Sequence, residues 1–171
     1  MSGAIDIKVA EVLPAQHQVN LRVKVMQQIM LGVIDDRDAN GDSNSNFQKN
    51  LKIAEFLVAD SSGCMIVKAV GDHQIHLLQS SLPPSSTTLA IHNARVEMYR
   101  GFMRIVVDHI AKGEIIPLTF DDIVIRDSSS HNQQSNNNNS NGTMSGVNGK
   151  SITLNLENNM SLIEYQYVPT K

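Results

Sequence analysis

The sequence predicts an all-β fold with one short helix: a five-stranded barrel, then C-terminal strands beyond an Asn/Ser-rich loop. Three observations predict it. Runs of β-branched and aliphatic residues recur between polar turns, only the stretch after Asp72 carries helical spacing, and the length suits one core. With 171 residues, 41% hydrophobic and 18% charged, the chain has material for one domain with appendages and too little for two comfortable ones.

Val19 to Met26 alternates, with Val19, Leu21, Val23 and Val25 on one face and Asn20, Arg22 and Lys24 on the other, the period of a half-buried strand. From Gln27 the chain drifts through an apolar patch, Ile29 to Ile34, into an Asp/Asn/Ser-rich loop that lasts to Asn50. Leu51 to Ala59 and Cys64 to Val70 read as a hairpin, because Asp60-Ser61-Ser62-Gly63 supplies turn chemistry between them. Asp72 is a suitable N-cap for a short helix over His73 to Gln79, with Ile75 and Leu78 spaced for one buried face. Pro83-Pro84 ends it, and Thr87 to Tyr99 and Phe102 to Ile110 follow as strands four and five. Gly101 can take the positive φ that a tight hairpin between them requires.

Three strands, a helix and two strands is the order of the OB-fold, a partly open barrel. Periodicity alone also allows an SH3-like barrel or a fragment of a β-sandwich. Residues 1–117 are assigned to this domain and 118–171 to a C-terminal extension. Within the extension, residues 127–150 hold almost no apolar side chains, too few to offset the entropy of ordering, and are expected to be a disordered loop. Asp121 to Ile125, Ser151 to Leu156 and Ser161 to Val168 have strand character.

Basic and aromatic residues gather at the last hairpin. Arg95, Tyr99, Arg100, Phe102 and Arg104 suit a polyanion with stackable bases, and alternation turns Phe102, Arg104, Val106 and Asp108 outward while Met103, Ile105 and Val107 face the core. Lys52 and Lys68, on strands two and three, are further candidates for phosphate contacts. The net charge of −3 argues against binding driven by charge alone, yet Val96 to Val107 holds two arginines against the single Glu97.

Several segments together carry a family likeness: Val9-Ala-Glu-Val-Leu-Pro-Ala followed by Val19-Asn-Leu, Val58-Ala-Asp-Ser-Ser-Gly, Ile91-His-Asn-Ala-Arg-Val and Tyr99-Arg-Gly-Phe-Met-Arg-Ile. In order and spacing, from about Ile7 to Ala111, they resemble the single-OB family of single-stranded DNA-binding proteins. That family includes the single-OB subunit of the eukaryotic complex that senses single-stranded DNA, and relatives of archaeal replication protein A. The resemblance implies an OB barrel that binds single-stranded DNA across strands two to five, acts in DNA damage repair in the nucleus, and joins a larger protein complex through another face. It also implies base-stacking aromatics at positions held here by Val70, Arg95, Tyr99 and Val106, of which only Tyr99 keeps a ring. At roughly 1 to 3 kcal/mol per stacked base, the three missing rings weaken the expected binding, unless Arg95 lays its guanidinium on a base and Phe102 supplies a second ring.

Other chemistry is not expected. Asp36-Arg-Asp-Ala-Asn-Gly imitates the start of a calcium loop, but Phe47 stands where the bidentate glutamate belongs, so the segment reads as the loop between strands one and two. His73 and His76 have metal-binding spacing without a third ligand. Cys64 is the single cysteine and forms no internal disulfide. No nucleophile has a base and orienter beside it and no glycine loop cradles a phosphate, so neither enzyme activity nor a cofactor is expected. No secretory signal and no membrane span is read in the chain, which points to the cytosol or nucleus. Two function classes remain: a binder of single-stranded DNA, or of single-stranded RNA, and a structural OB subunit that chiefly holds other proteins together.

Overall fold

The first strand, β1 (Val19–Ile34), is 16 residues long and runs well past the expected end at Met26. Its opening follows the sequence pattern, with Val19, Leu21, Val23 and Val25 all buried. Val19 to Lys24 pairs antiparallel with β4 (Thr88–Tyr99), and Lys24 to Ile34 pairs antiparallel with β2 (Leu51–Ala59). The register shifts between Val25 and Gln27 and again between Gln28 and Met30. Each shift exchanges the faces of the residues that follow, so alternation disappears from the sequence while the backbone stays in the ladder. The apolar patch at Ile29–Ile34 is therefore strand and not the start of a loop. The computed structural model describes residues 5–34, 51–85, 87–119 and 153–166, so the acidic segment at 35–50, the expected strand at Asp121–Ile125 and the Asn/Ser-rich segment 127–150 lie outside the described residues.

β2 and β3 (Cys64–Val70) form the expected hairpin, in unbroken register from Ile53 opposite Val70 to Ala59 opposite Cys64. Asp60 closes it. Its Oδ1 accepts hydrogen bonds from the Ser62 N–H (2.7 Å), the Ser62 hydroxyl (2.6 Å) and the Gly63 N–H (3.2 Å), and its Oδ2 accepts from the Val9 N–H (2.9 Å). One buried carboxylate thus fixes both the turn and the 3₁₀ turn Val9–Glu11, beside which Val9 and Val12 enter the core.

Helix α1 (Asp72–Ser80) buries Ile75 and Leu78 as the spacing requires. Asp72 is its first residue and not its cap. The cap position belongs to Gly71 at φ 100°, a conformation that glycine takes without a Cβ clash, and Asp72 pairs instead with Lys52 Nζ at 2.7 Å. β4 and β5 (Phe102–Val107) pair from Arg95 opposite Val106 to Tyr99 opposite Phe102. Arg100 and Gly101 between them have φ of 51° and 87°, the doubly positive pattern of a two-residue type I′ hairpin.

β5 stops at Val107 and not at Ile110, because Asp108 turns the chain: its carbonyl accepts from the Gly113 N–H (2.8 Å) and its Oδ1 from the Ala111 N–H (2.9 Å). The chain continues as a sixth strand that the sequence did not announce, β6 (Glu114–Leu118), paired antiparallel with β4 from His92 opposite Glu114 to Thr88 opposite Leu118. Pro117 cannot donate to a ladder, and β6 tolerates it by lying at the sheet edge.

The β1–β4 pairing and a parallel β3–β5 pairing close the ring β1-β2-β3-β5-β4, with α1 between β3 and β4 in the chain, which is the OB barrel. Phe56, Met65, Leu89, Met103 and Ile105 fill it. The β3–β5 ladder runs only from Val67 opposite Ile105 to Ala69 opposite Val107. Next to it the C-terminal segment fills the seam: the Asn158 carbonyl accepts from the Cys64 N–H (2.9 Å), the Ser161 hydroxyl accepts from the Ile66 N–H (2.8 Å), and Met160 joins the core. Over the described parts of the expected strands at Ser151–Leu156 and Ser161–Val168, the chain is instead extended, with single bridges at Asn159 and Glu164 and a 3₁₀ turn, Met160–Leu162; residues 151–152 and 167–168 lie outside the described residues. Side chains make the contacts a ladder would have made: the Asn155 and Asn158 amides both donate to the Ser62 carbonyl, at 3.3 and 3.1 Å.

The turn at Asp60 is thus held from both ends of the chain, and changes there test the arrangement. A Cβ on Gly63 would lie 2.7 Å from the Asn158 carbonyl oxygen, so Gly63→Ala is expected to cost about 1–3 kcal/mol through overpacking. Asp60→Ala strands several donors and is expected to cost about 3 kcal/mol, each measured by urea denaturation.

Candidate nucleic-acid interface

Outward-facing residues of the barrel strands line a cleft of about 450 Å³. The overhanging end of β1 builds one wall with Met30, Val33 and Ile34, and Ile53 of β2 continues it. Met30, Val33 and Ile34 are exposed despite their apolar character, because the β1 end projects beyond the core. Across from them stands Tyr99 at the end of the β4–β5 hairpin, and between the two sides lie Glu55, Lys68, Glu97 and Arg104.

The four charges are joined in two crossed pairs. Glu55 stands opposite Lys68 in the β2–β3 register and Glu97 opposite Arg104 in the β4–β5 register. The hydrogen bonds run otherwise: Arg104 Nε donates to Glu55 Oε1 at 3.0 Å and Lys68 Nζ donates to Glu97 Oε2 at 3.3 Å. The floor is therefore neutral, two cations against two carboxylates. These side chains are half-buried, so salt screens the pairs less than it screens open surface charges.

The Tyr99 side carries the free positive charge. Tyr99 is 53% exposed, and the guanidinium carbons of Arg100 and Arg104 lie 5.4 and 5.3 Å from its ring centroid, within cation–π range. Arg100 forms no ion pair among the described residues.

Of the seven residues expected from the sequence, the cleft brings together Lys68, Tyr99 and Arg104, with Arg100 at its rim. The others lie apart. Lys52 is held by Asp72 of α1. Phe102, the cross-strand partner of Tyr99, is half-buried outside the cleft where the backbone of Glu164 bridges to it. Arg95 gives Nε and one terminal nitrogen to Asp108 Oδ2, at 3.2 and 3.0 Å, which occupies the guanidinium expected to lie on a base. Val106 and Asp108 are buried, although alternation turned them outward, and Val106 lies between Arg95 and Lys68 of the neighbouring strands. Glu55 and the β1 wall are the parts that the sequence did not mark. Glu55 was legible as the outward residue between buried Ala54 and Phe56, whereas the wall was hidden by the bulges.

Burial alone pushes the Asp108 carboxyl up, but the Ala111 N–H and the hydrogen bond and charge of Arg95 outweigh it and hold the carboxyl below its ordinary value. Burial pushes the Cys64 thiol up, which keeps it protonated, and its sulfur donates to the Leu156 carbonyl at 3.5 Å. Among the described residues no three His, Cys, Asp or Glu side chains are grouped to hold a metal ion, and no helix is long and apolar enough to cross a membrane. His73 and His76 are exposed on α1.

Barrel closure, helix position and an open cleft across β1 to β5 define an OB-fold protein. The chain belongs to the family described as single-stranded DNA binding protein Ssb-like, OB fold, whose model matches residues 12–115. It is similar to an uncharacterized Arabidopsis thaliana protein, At4g28440, with 23% identity over 164 residues, covering 96% of this chain and 83% of that one. The solution structure of the hypothetical protein F20O9.120 from Arabidopsis thaliana superposes with a TM-score of 0.54 at 22% identity, over 98% of this chain and 90% of that one, and shares the fold. A replication protein A heterotrimer bound to single-stranded DNA is more distant, with a TM-score of 0.47 and 14% identity over 68% of this chain and 25% of that one.

The Arg95–Asp108 pair predicts a pH effect of definite sign. With its folded pKa depressed, Asp108 contributes stability above the ordinary aspartate value of 3.8 and loses it as the pH falls through the folded value. Asp108→Asn is expected to lower stability at neutral pH and to flatten the acid limb of the stability curve below about pH 4. Urea midpoints measured across that range check it, and parallel acid limbs would contradict it.

Proposed function

We propose that the chain binds single-stranded DNA in the cleft between the β1 end and the β4–β5 hairpin. The half-exposed Tyr99 ring with two guanidinium groups over it carries this reading, set as it is opposite an apolar wall on the face that OB barrels use for oligonucleotides. A base that lies on Tyr99 takes the place of the Arg100 guanidinium, unpaired among the described residues, and frees it for the adjoining phosphate, while Arg104 stays bonded to Glu55. Stacking accepts any base, because every base has a π-face. Membership of the Ssb-like family supports the same reading.

From the resemblance of the sequence segments to the family that includes the single-OB subunit of the sensor complex, we infer a role in DNA damage repair, in the nucleus and within a larger protein assembly. Single-stranded RNA is the near alternative, and the same oligonucleotide made as RNA separates the two. A structural OB subunit is the second reading. The neutral floor favours it, since Glu55 and Glu97 already occupy Arg104 and Lys68.

Fluorescence anisotropy with a labelled single strand of mixed sequence, about 30 nucleotides long, at low and physiological salt, tests the proposal. Tyr99→Ala is expected to weaken binding by about 1–3 kcal/mol. With most cations paired, the salt dependence is expected to match only about one or two neutralised phosphates, and Arg100→Ala to remove about one of them. Absence of binding at low salt would leave the structural reading in its place.

A further inference from the structure

Carboxylates are ill suited to a floor whose only task is to hold phosphate. Glu55 gives Oε1 to Arg104 and Glu97 gives Oε2 to Lys68, and the second oxygen of each has no hydrogen-bond donor among the described residues. A phosphate brought to these free oxygens would meet like charge. A base edge that donates hydrogen bonds would meet acceptors already oriented by their cations.

Glu97 and Tyr99 are two residues apart on one face of β4, and so about 7 Å apart, within reach of a base lying on the ring. Arg104 connects the ring to Glu55, being over Tyr99 at 5.3 Å and bonded to Glu55 at 3.0 Å. Met30, Val33, Ile34 and Ile53 make the opposite side apolar, which strengthens hydrogen bonds formed between base and carboxylate. The cleft, at about 450 Å³, has room for a base and its sugar.

We propose that Glu55 and Glu97 make the cleft a reader of base edges that selects guanine-containing single strands and disfavours thymine tracts. Guanine offers an imino N–H and an amino group side by side: one donates to the free oxygen of a carboxylate, and the other to the remaining lone pair of the oxygen that its cation already holds. Thymine offers a single N–H between two carbonyl oxygens, both repelled by a carboxylate. Cytosine and adenine each offer one amine beside an acceptor nitrogen and fall between. The sugar–phosphate backbone runs on the outer side, past Arg100. The proposal rests on the single-strand reading of the same cleft and adds the base that it prefers.

The test compares three strands of about 12 nucleotides by anisotropy: alternating thymine and guanine, the same strand with inosine for guanine, and thymine alone. Inosine removes only the amino group. Wild-type protein is expected to favour the guanine strand over thymine on the order of 5- to 100-fold, with inosine between. Glu55→Gln with Glu97→Gln is expected to reduce that preference to about twofold or less, because a carboxamide cannot accept both hydrogens at once. The wild-type comparison stands even if the variant fails to fold. Equal wild-type binding of guanine and thymine strands would overturn the proposal and leave the single-strand reading intact. A variant that binds all strands more tightly with the preference unchanged would also overturn it, since the carboxylates would then merely repel phosphate. Binding of none of the strands would overturn the single-strand reading and this proposal with it.

Discussion

Everything in the barrel depends on β1 serving two neighbours. Its first part pairs with β4 and its second with β2, with the exchange at Lys24. A regular strand of 16 residues could not turn from one partner to the other, and the two bulges after Val25 supply the bend. The same bend carries the strand past the core, so that Met30, Val33 and Ile34 stand free as the wall of the cleft. Barrel closure and the candidate site are in this sense one feature.

A second constraint lies at the opposite end. The parallel seam between β3 and β5 is short, and the chain completes it with residues from its C-terminal part, which insert Met160 into the core and bond to both the Asp60 turn and the β4–β5 hairpin. The Tyr165 N–H donates to the Gly101 carbonyl at 2.8 Å, beside the turn that presents Tyr99 and Arg100. The hairpin is therefore supported from behind while its aromatic side stays open. Positive charge on the exposed face is restrained in a similar way: Arg95, Lys68 and Arg104 each have a carboxylate, so the proposed recognition rests on an aromatic ring, an apolar wall and a small number of free polar atoms.

Much of this was legible in the sequence, and the exceptions have physical causes. β2 and β3 fall where alternation and the Asp-Ser-Ser-Gly turn put them, and Ile75 and Leu78 are the buried face of the helix. Arg100-Gly101 is the hairpin turn, and Met103, Ile105 and Val107 point inward as their period requires. The second half of β1 was hidden because bulges erase the period on which the reading depends. β6 was hidden by Pro117, and the C-terminal segment by forming its contacts through Asn and Ser side chains. Alternation also showed which cations face outward, but not which acid meets each one. Arg104 and Glu55 are 49 residues apart, and Lys68 and Glu97 are 29 apart, separations that only the folded barrel brings together.

The proposed binding mode places a single strand between the β1 wall and Tyr99. The most direct measurement is titration of isotopically labelled protein with a short single-stranded oligonucleotide, followed by amide chemical shifts. With the strand in that cleft, shifts are expected to concentrate at Met30–Ile34, Ile53–Glu55, Lys68 and Glu97–Arg104, with α1 and β6 unaffected. Shifts confined to α1, β6 or the C-terminal segment, or no shifts at low salt, would contradict it.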